Sequence, residues 1–255
     1  MNTCPTRAMN ASVVIDCFPD SAERYRQSHA IVVVDVIRAT TTATTAVSLG
    51  RRVFPVRTTD EAFVRAEHLK KPMLVGELGG NMPYGFDLTN SPVQISIRTD
   101  IDRPMILVSS SGTQLLLNSA GSEGVYISCF RNFSAVAKYI VGKHERVAIL
   151  GAGSRGNFRR EDQMGCSWVA EKLVEEGYDP SDRKTADIIL KWSGISSAEA
   201  RNGKSADYLR KTGQEHDLDF VVKHVDDLDT VPALVDGELI LAAGTVMKPP
   251  SLTEY

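Results

Sequence analysis

Residues 31–42 read Ile31-Val32-Val33-Val34-Asp35-Val36-Ile37-Arg38-Ala39-Thr40-Thr41-Thr42. Four β-branched residues without a polar interruption are what a strand covered on both faces of a parallel sheet requires. The run then meets a carboxylate, a guanidinium and three hydroxyls before an Ala/Thr-rich segment that ends at Gly50, which predicts a strand, a polar loop and a helix in succession. The same rhythm spreads outward in both directions. It predicts strands at 13–17, 31–36, 53–56, 73–76, 105–109, 125–128 and 147–150, and helices at 41–49, 60–69, 113–119, 134–141 and 164–176. Gly50, Gly121 and Gly177 follow three of these helices as helix-stopping residues. Strands alternating with helices give an α/β class protein, expected as a three-layer α/β/α arrangement with a largely parallel or mixed sheet.

Beyond Pro180 the pattern changes to polar helical segments, and Asp236-Gly237 between apolar runs at 231–235 and 238–242 predicts a terminal hairpin. From Glu215 to Asp236 there are seven Asp or Glu and one Lys, a composition expected of a solvated face. No stretch is rich enough in Pro, Gly or Ser to separate domains, so residues 1–255 are read as one domain, with a subdivision near residue 180 left open.

The chain carries 29 Lys and Arg against 32 Asp and Glu, a net charge of −3, with 42% hydrophobic residues. That balance excludes a phosphate-coating nucleic-acid binder and a disordered chain. No segment approaches ~18 uncharged apolar residues, and the N-terminus lacks a basic start followed by an apolar core, so neither a membrane partner nor secretion is expected. Cys4, Cys17, Cys129 and Cys166 form no C-x-x-C pair, which points to a reducing cytoplasm.

In open α/β sheets ligands bind beyond the carboxyl ends of the strands, and four loops there are candidates. In the first, Asp35, Arg38 and the threonines form an anion site, or Asp35 pairs with Arg38 while a threonine caps the helix. The second runs from Gly76-Glu77-Leu78-Gly79-Gly80 through Gly85-Phe86-Asp87 to Asn90-Ser91-Pro92; its glycines suit close approach to a ligand or an ordinary surface turn. The third, Ser109-Ser110-Ser111-Gly112-Thr113, offers hydroxyls and free N–H groups for a phosphate, or plain capping. The fourth, Gly151-Ala152-Gly153-Ser154-Arg155-Gly156, matches the dinucleotide fingerprint in letters but lacks the helix at its third glycine and the second acidic strand end. It does supply Arg155, Arg159 and Arg160 beside Glu161 and Asp162. That carboxylate pair complements a helix dipole or, with Asp35, forms an oxygen site for magnesium. Gly203-Lys204-Ser205 lacks the preceding strand and glycine of a Walker A loop.

Taken in order, D-V-I-R-A-T-T-T (35–42), G-E (76–77), G-F-D-L-x-N-S-P (85–92), S-G-T (111–113) and G-x-x-G-x-F-x-x-E-D (153–162) resemble the 2-phosphosulfolactate phosphatase family. Ser205, Leu209, Gly213 and the stretch from Asp229 to Gly237 extend the resemblance over nearly the whole chain. It implies an α/β fold particular to the family and a magnesium-dependent phosphatase of coenzyme M biosynthesis, acting on a small anionic phosphorylated 2-hydroxy acid. Asp35, Arg38, Glu161 and Asp162 are the implied catalytic residues. Arg38, Thr40, Glu77, Asp87, Asn90, Ser91, Ser111, Gly112, Thr113 and Arg155 are the implied substrate contacts, and Asp35, Glu77, Glu161 and Asp162 the implied Mg2+ ligands. Two positions depart from the family pattern: Leu78 stands where the family has an arginine, and Ser111 where it has an asparagine. A non-catalytic sensor of a phosphorylated metabolite is the alternative those departures leave open, and a homodimer is left open as an assembly.

Overall fold

In the computed structural model, residues 11–245 are described; Cys4 lies outside them. The chain runs β1 (Ser12–Cys17), α1 (Ala22–Tyr25), β2 (Ala30–Val34), α2 (Ala39–Ser48), β3 (Val53–Val56), α3 (Thr59–Glu67), β4 (Met73–Gly76), α4 (Pro92–Ser96), β5 (Met105–Val108) and α5 (Gly112–Asn118). It continues through β6 (Val125–Ser128), α6 (Phe133–Ile140), β7 (Arg146–Gly151), α7 (Arg160–Glu175), β8 (Asp179–Pro180), α8 (Arg183–Trp192), α9 (Lys204–Lys211), α10 (Glu215–Lys223), β9 (Pro232–Val235) and β10 (Glu238–Leu241).

The ten strands form one mixed sheet in the order β4-β5-β3-β10-β9-β6-β2-β7-β1-β8. Strand β2 is buried at every residue and lies between two parallel neighbours, β6 and β7. Its pleat sends Val32 and Val34 to the layer of α6 and α7, and Ile31 and Val33 to the layer of α2 and α5. Each of these four side chains contributes about 1.5–3 kcal/mol by leaving water. Helices cover both faces, which is the α/β class expected from the sequence.

The hairpin is not at an edge. It sits mid-sheet and divides the parallel strands into two groups, β4-β5-β3 and β6-β2-β7-β1-β8. It meets each group through a single antiparallel pair, Leu239 opposite Val53 and Ala233 opposite Tyr126. Val53 opens β3 and Tyr126 is the second residue of β6, so the hairpin joins the groups only near the N-terminal ends of those strands. Asp236 and Gly237 have positive φ (49° and 77°), the backbone a two-residue hairpin turn needs.

Helix α2 is buried at all ten positions. Its hydroxyls tolerate burial because several donate back to the preceding turn: Thr41 to Val36 O at 2.7 Å, Thr45 to Thr41 O at 2.7 Å and Ser48 to Thr45 O at 2.8 Å. Helix α7 approaches β2 closely because residue 165 is glycine: a Cβ there would stand 2.9 Å from Val34 Cγ1 and 3.0 Å from Val36 Cγ2. That approach delivers the first turn of α7 to the loop after β2.

Candidate active site

The loops after β2, β4, β5 and β7 border one cavity of about 720 Å³, with α9 as its remaining wall. Five cationic side chains line it, Arg38, Arg155, Arg159, Lys204 and Lys211, against three carboxylates, Asp35, Glu77 and Asp207. A chain with a net charge of −3 thus concentrates positive charge in one concave place, the field that draws in a small anion.

Asp35 leaves β2 and is held by its own loop. Its Oδ1 accepts the Ala39 N–H at 3.3 Å, while Oδ2 accepts no hydrogen bond among the described residues and lies against the start of α5. Gly112 makes that possible, since a Cβ at residue 112 would stand 2.4 Å from Asp35 Oδ2. Burial, followed by the charge of Glu77, pushes the Asp35 carboxyl up to about 7, against the opposing pull of the Ala39 N–H and Arg38.

Arg38 also lines the cavity, but one end of its guanidinium is already held. Nη1 donates to Asp217 Oδ2 at 2.5 Å and to Gln214 Oε1 at 2.6 Å. Nε and Nη2 donate no hydrogen bond among the described residues, which leaves three N–H donors for a ligand. The peptide between Ile37 and Arg38 is cis.

The remaining acidic groups divide by what their oxygens already hold. Asp162 accepts Val36 N–H at 2.9 Å and Gly153 N–H at 3.2 Å, tying the loops after β2 and β7 together. Glu77 accepts Ser110 N–H and Gly80 N–H, each at 2.7 Å, and the Ser110 hydroxyl at 3.0 Å. Glu161 is buried with Oε2 unpartnered, facing Gly203 at the start of α9. Burial raises the Glu161 carboxyl, with Ser205 opposing, and raises the Asp162 carboxyl, which Asp35 and Glu161 push further.

Among the described residues no group of three or more His, Cys, Asp or Glu is arranged to hold a metal ion, so the four expected ligands do not form an all-protein cage. Magnesium does not demand one: it is commonly bound through one or two carboxylates plus substrate phosphate and water. Asp35 and Glu161 are the two of the four that keep an oxygen free of hydrogen bonds among the described residues, and of these Asp35 lines the cavity while Glu161 lies behind it. Their mutual repulsion in a buried place is what a cation relieves.

Several expected substrate contacts turn out to be engaged elsewhere. Thr40 Oγ1 accepts Asp35 N–H at 3.0 Å and donates to Asp35 O at 2.8 Å. Thr113 repeats this after β5, with Ser109 N–H at 3.0 Å and Ser109 O at 3.0 Å. Both hydroxyls close strand-to-helix turns. Ser91 caps α4 through Gln94 N–H and donates to Asp217. Asp87 is exposed outside this cavity, accepting Leu74 N–H at 2.8 Å and facing Arg103 at 3.5 Å. Asn90 and Ser111 do line the cavity, and the Oδ1 of Asn90 is buried without a partner. Arg155 lines it from an exposed turn with φ 50°.

Lys204, Ser205, Tyr208 and Lys211 line the same cavity and were not anticipated as contacts. Ser205 belongs to the family pattern quoted above; for the others the sequence signal is polar spacing, since 204, 208 and 211 fall on one face of a helix. The dinucleotide fingerprint fails in the structure as expected from context. Gly156 sits in a turn and α7 begins only at Arg160.

The chain matches the 2-phosphosulpholactate phosphatase family over residues 17–237. It belongs to that family. A Clostridium beijerinckii protein named "Probable 2-phosphosulfolactate phosphatase" is 27% identical over 237 residues, which cover 91% of this chain and 99% of that protein. A Thermotoga maritima protein of the same name is 32% identical over 212 residues, 82% of this chain and 91% of that one. A Pseudothermotoga lettingae protein, again of that name, is 39% identical over 156 residues, 60% and 66% of the two chains. Of the two departures from the family pattern, Leu78 is exposed beside Glu77, whereas Ser111 borders the cavity directly.

Proposed function

We propose that this chain is a phosphomonoesterase that hydrolyses a small, multiply anionic phosphorylated 2-hydroxy acid, 2-phosphosulfolactate or a relative, in the cytoplasm with magnesium as cofactor. The observation that carries the reading is that Asp35 and Arg38, three residues apart on one loop, line a single cavity walled by four further cations, with Arg38 Nε and Nη2 donating to no group among the described residues. The relatives' names favour a phosphatase over a sensor.

Arg38 Nε and Nη2 bind phosphate oxygens in the forked geometry guanidinium provides, and Arg159 and Lys204 neutralise the rest of the anion. Ser110 and Ser111, which lead into α5, line the same cavity. A water attacks phosphorus as the ester P–O bond breaks, and the departing alkoxide takes up a proton from solvent water to leave as the free hydroxyl. Asp35, held beside the reacting group by its own loop, takes the water's proton as general base. Magnesium would be held at Asp35 and Glu161, and when bound supplies positive charge against the phosphoryl oxygens. Three buried carboxylic acids with raised proton affinity otherwise repel one another here.

Phosphate release from 2-phosphosulfolactate and a panel of phosphorylated 2-hydroxy acids, with and without magnesium, tests this. Turnover that requires magnesium is expected. A folded protein that releases no phosphate from any of them refutes it. Calorimetric titration with magnesium alone checks the cation site separately: binding is expected in the wild type and lost in Glu161→Gln.

A further inference from the structure

The acidic segment 215–236 is not uniformly a solvated face, because Asp217 is fully buried. It is the one acidic residue of α10 that is buried, Glu215 and Asp219 standing at the surface. Each of its oxygens is held. Oδ2 accepts Arg38 Nη1 at 2.5 Å; Oδ1 accepts the Ser91 hydroxyl at 2.5 Å and Val93 N–H at 3.3 Å. Asp217 does not border the cavity, whereas Arg38 does. Three distant pieces of chain therefore meet behind the arginine: the loop after β2, the start of α4, and α10.

We infer that Asp217 is a positioning residue of this site: anchored by Ser91 and Val93, it fixes the Arg38 guanidinium by Nη1 so that Nε and Nη2 remain for the oxyanion. This rests on the phosphatase reading, since Arg38 is taken to hold phosphate. The geometry explains why a fork is held by one tine. A free arginine side chain samples many rotamers, and fixing one edge leaves the opposite edge with a single orientation. Gln214, accepting from the same Nη1 at 2.6 Å, blocks rotation that would exchange the two ends. Buried charge pairs are weak stabilisers of a fold, so a pair in this position makes better sense as a device for orientation.

The test is a double-mutant cycle on Arg38 and Asp217, read in two ways: kcat and KM for phosphate release from 2-phosphosulfolactate, and the affinity for inorganic phosphate by calorimetry. Asp217→Asn keeps the side-chain shape and removes the charge. It is expected to lower kcat/KM and phosphate affinity about 10- to 100-fold, the weight of a charge-assisted contact or a misplacement near 1 Å. In an Arg38→Gln background the same change is expected to lower neither further, because the group it orients is gone. Gln214→Met, which removes the second acceptor without disturbing the buried charge, is expected to give a smaller loss of about 2- to 10-fold with the same dependence on Arg38. It replaces Asp217→Asn in the cycle if that variant does not fold.

Equal losses in both backgrounds would mean a merely structural role and overturn the inference, as would wild-type affinity in folded Asp217→Asn. A wild type that binds phosphate through Arg38 but turns over nothing refutes the phosphatase reading alone, and the affinities then decide the positioning role. A wild type that neither binds nor turns over refutes both.

Discussion

Gly112→Ala separates catalysis from stability at this site. The residue opens α5 with ordinary φ, so alanine is free of backbone strain there and helix propensity favours it by at most about 0.5–1 kcal/mol, the value for a helix interior. Against that gain, the new methyl stands 2.4 Å from Asp35 Oδ2, 2.7 Å from Ala39 Cβ and 3.1 Å from Asp35 Cβ. A carbon normally keeps about 3.3–3.6 Å from such an oxygen, so the carboxylate must move by roughly 1 Å or rotate. Overpacking of this kind costs about 1–3 kcal/mol, leaving a net loss of about 0–3 kcal/mol after the helical gain. The catalytic consequence is larger. A displacement near 1 Å lowers rates about 100-fold, or ~2.7 kcal/mol at ~1.36 kcal/mol per factor of ten. The assay pairs urea unfolding with kcat/KM for phosphate release. The expected result is a kcat/KM near one hundredth of wild type in protein that loses little stability. A variant with kcat/KM within threefold of wild type would show that Asp35 need not sit against α5, and the proposed chemistry of that carboxylate would fall with it.

Asp35→Asn is expected to lower kcat by two orders of magnitude or more, on the scale of general-base loss, with a cooperative unfolding transition retained. Arg38→Ala is expected to lower kcat/KM by two orders of magnitude or more and to unfold more easily, by about 3–5 kcal/mol in urea, because it strands the buried Asp217 charge; equal stability of the two variants would contradict the buried pair. Leu239, 1% exposed in β10 opposite Val53, anchors the central hairpin, and Leu239→Ala is expected to cost about 2–5 kcal/mol. A change below 1 kcal/mol would mean that the hairpin does not join the two strand groups energetically. Burial lowers the proton affinity of His144, whose Nε2 faces the Tyr126 hydroxyl at 2.9 Å. The unfolded chain therefore takes up this proton first as pH falls through about 6.5. His144's contribution to stability is present above that pH and is lost as the pH falls further, levelling off below the folded value. Urea midpoints of wild type and His144→Gln should converge from pH 7.5 to 5; a constant difference would refute the assignment.

The strands were legible because burial on both faces writes itself as a continuous β-branched run, most plainly at Ile31–Val34, and the hairpin because Asp236-Gly237 can adopt the positive φ that such a turn needs. The hairpin's place mid-sheet was not, since two isolated pairs, Leu239 with Val53 and Ala233 with Tyr126, leave no local mark on composition. Helix α7 starts at Arg160, four residues ahead of the expected 164. Its first turn has no apolar stripe, and polar contacts of Asp162 with the Val36 and Gly153 N–H groups and of Arg160 with Glu199 hold it in place of hydrophobic ones. The site shows the same limit more sharply. A loop that binds an anion and a loop that closes its own turn use the same residues: Thr40 and Thr113 carry hydroxyls suited to phosphate, yet both bond to the residue ending their strand. Chain order gives the residue type, but only tertiary packing decides which way each polar atom points. Asp217 is the extreme case. It sits in an acidic stretch that reads as surface, and what makes it different is Arg38, 179 positions away. Asp35 and Arg38 stand out in chain order and do share the cavity, whereas Lys204 beside them and Asp217 behind Arg38 came into view only when α9, α4, α10 and the loop after β2 were brought together.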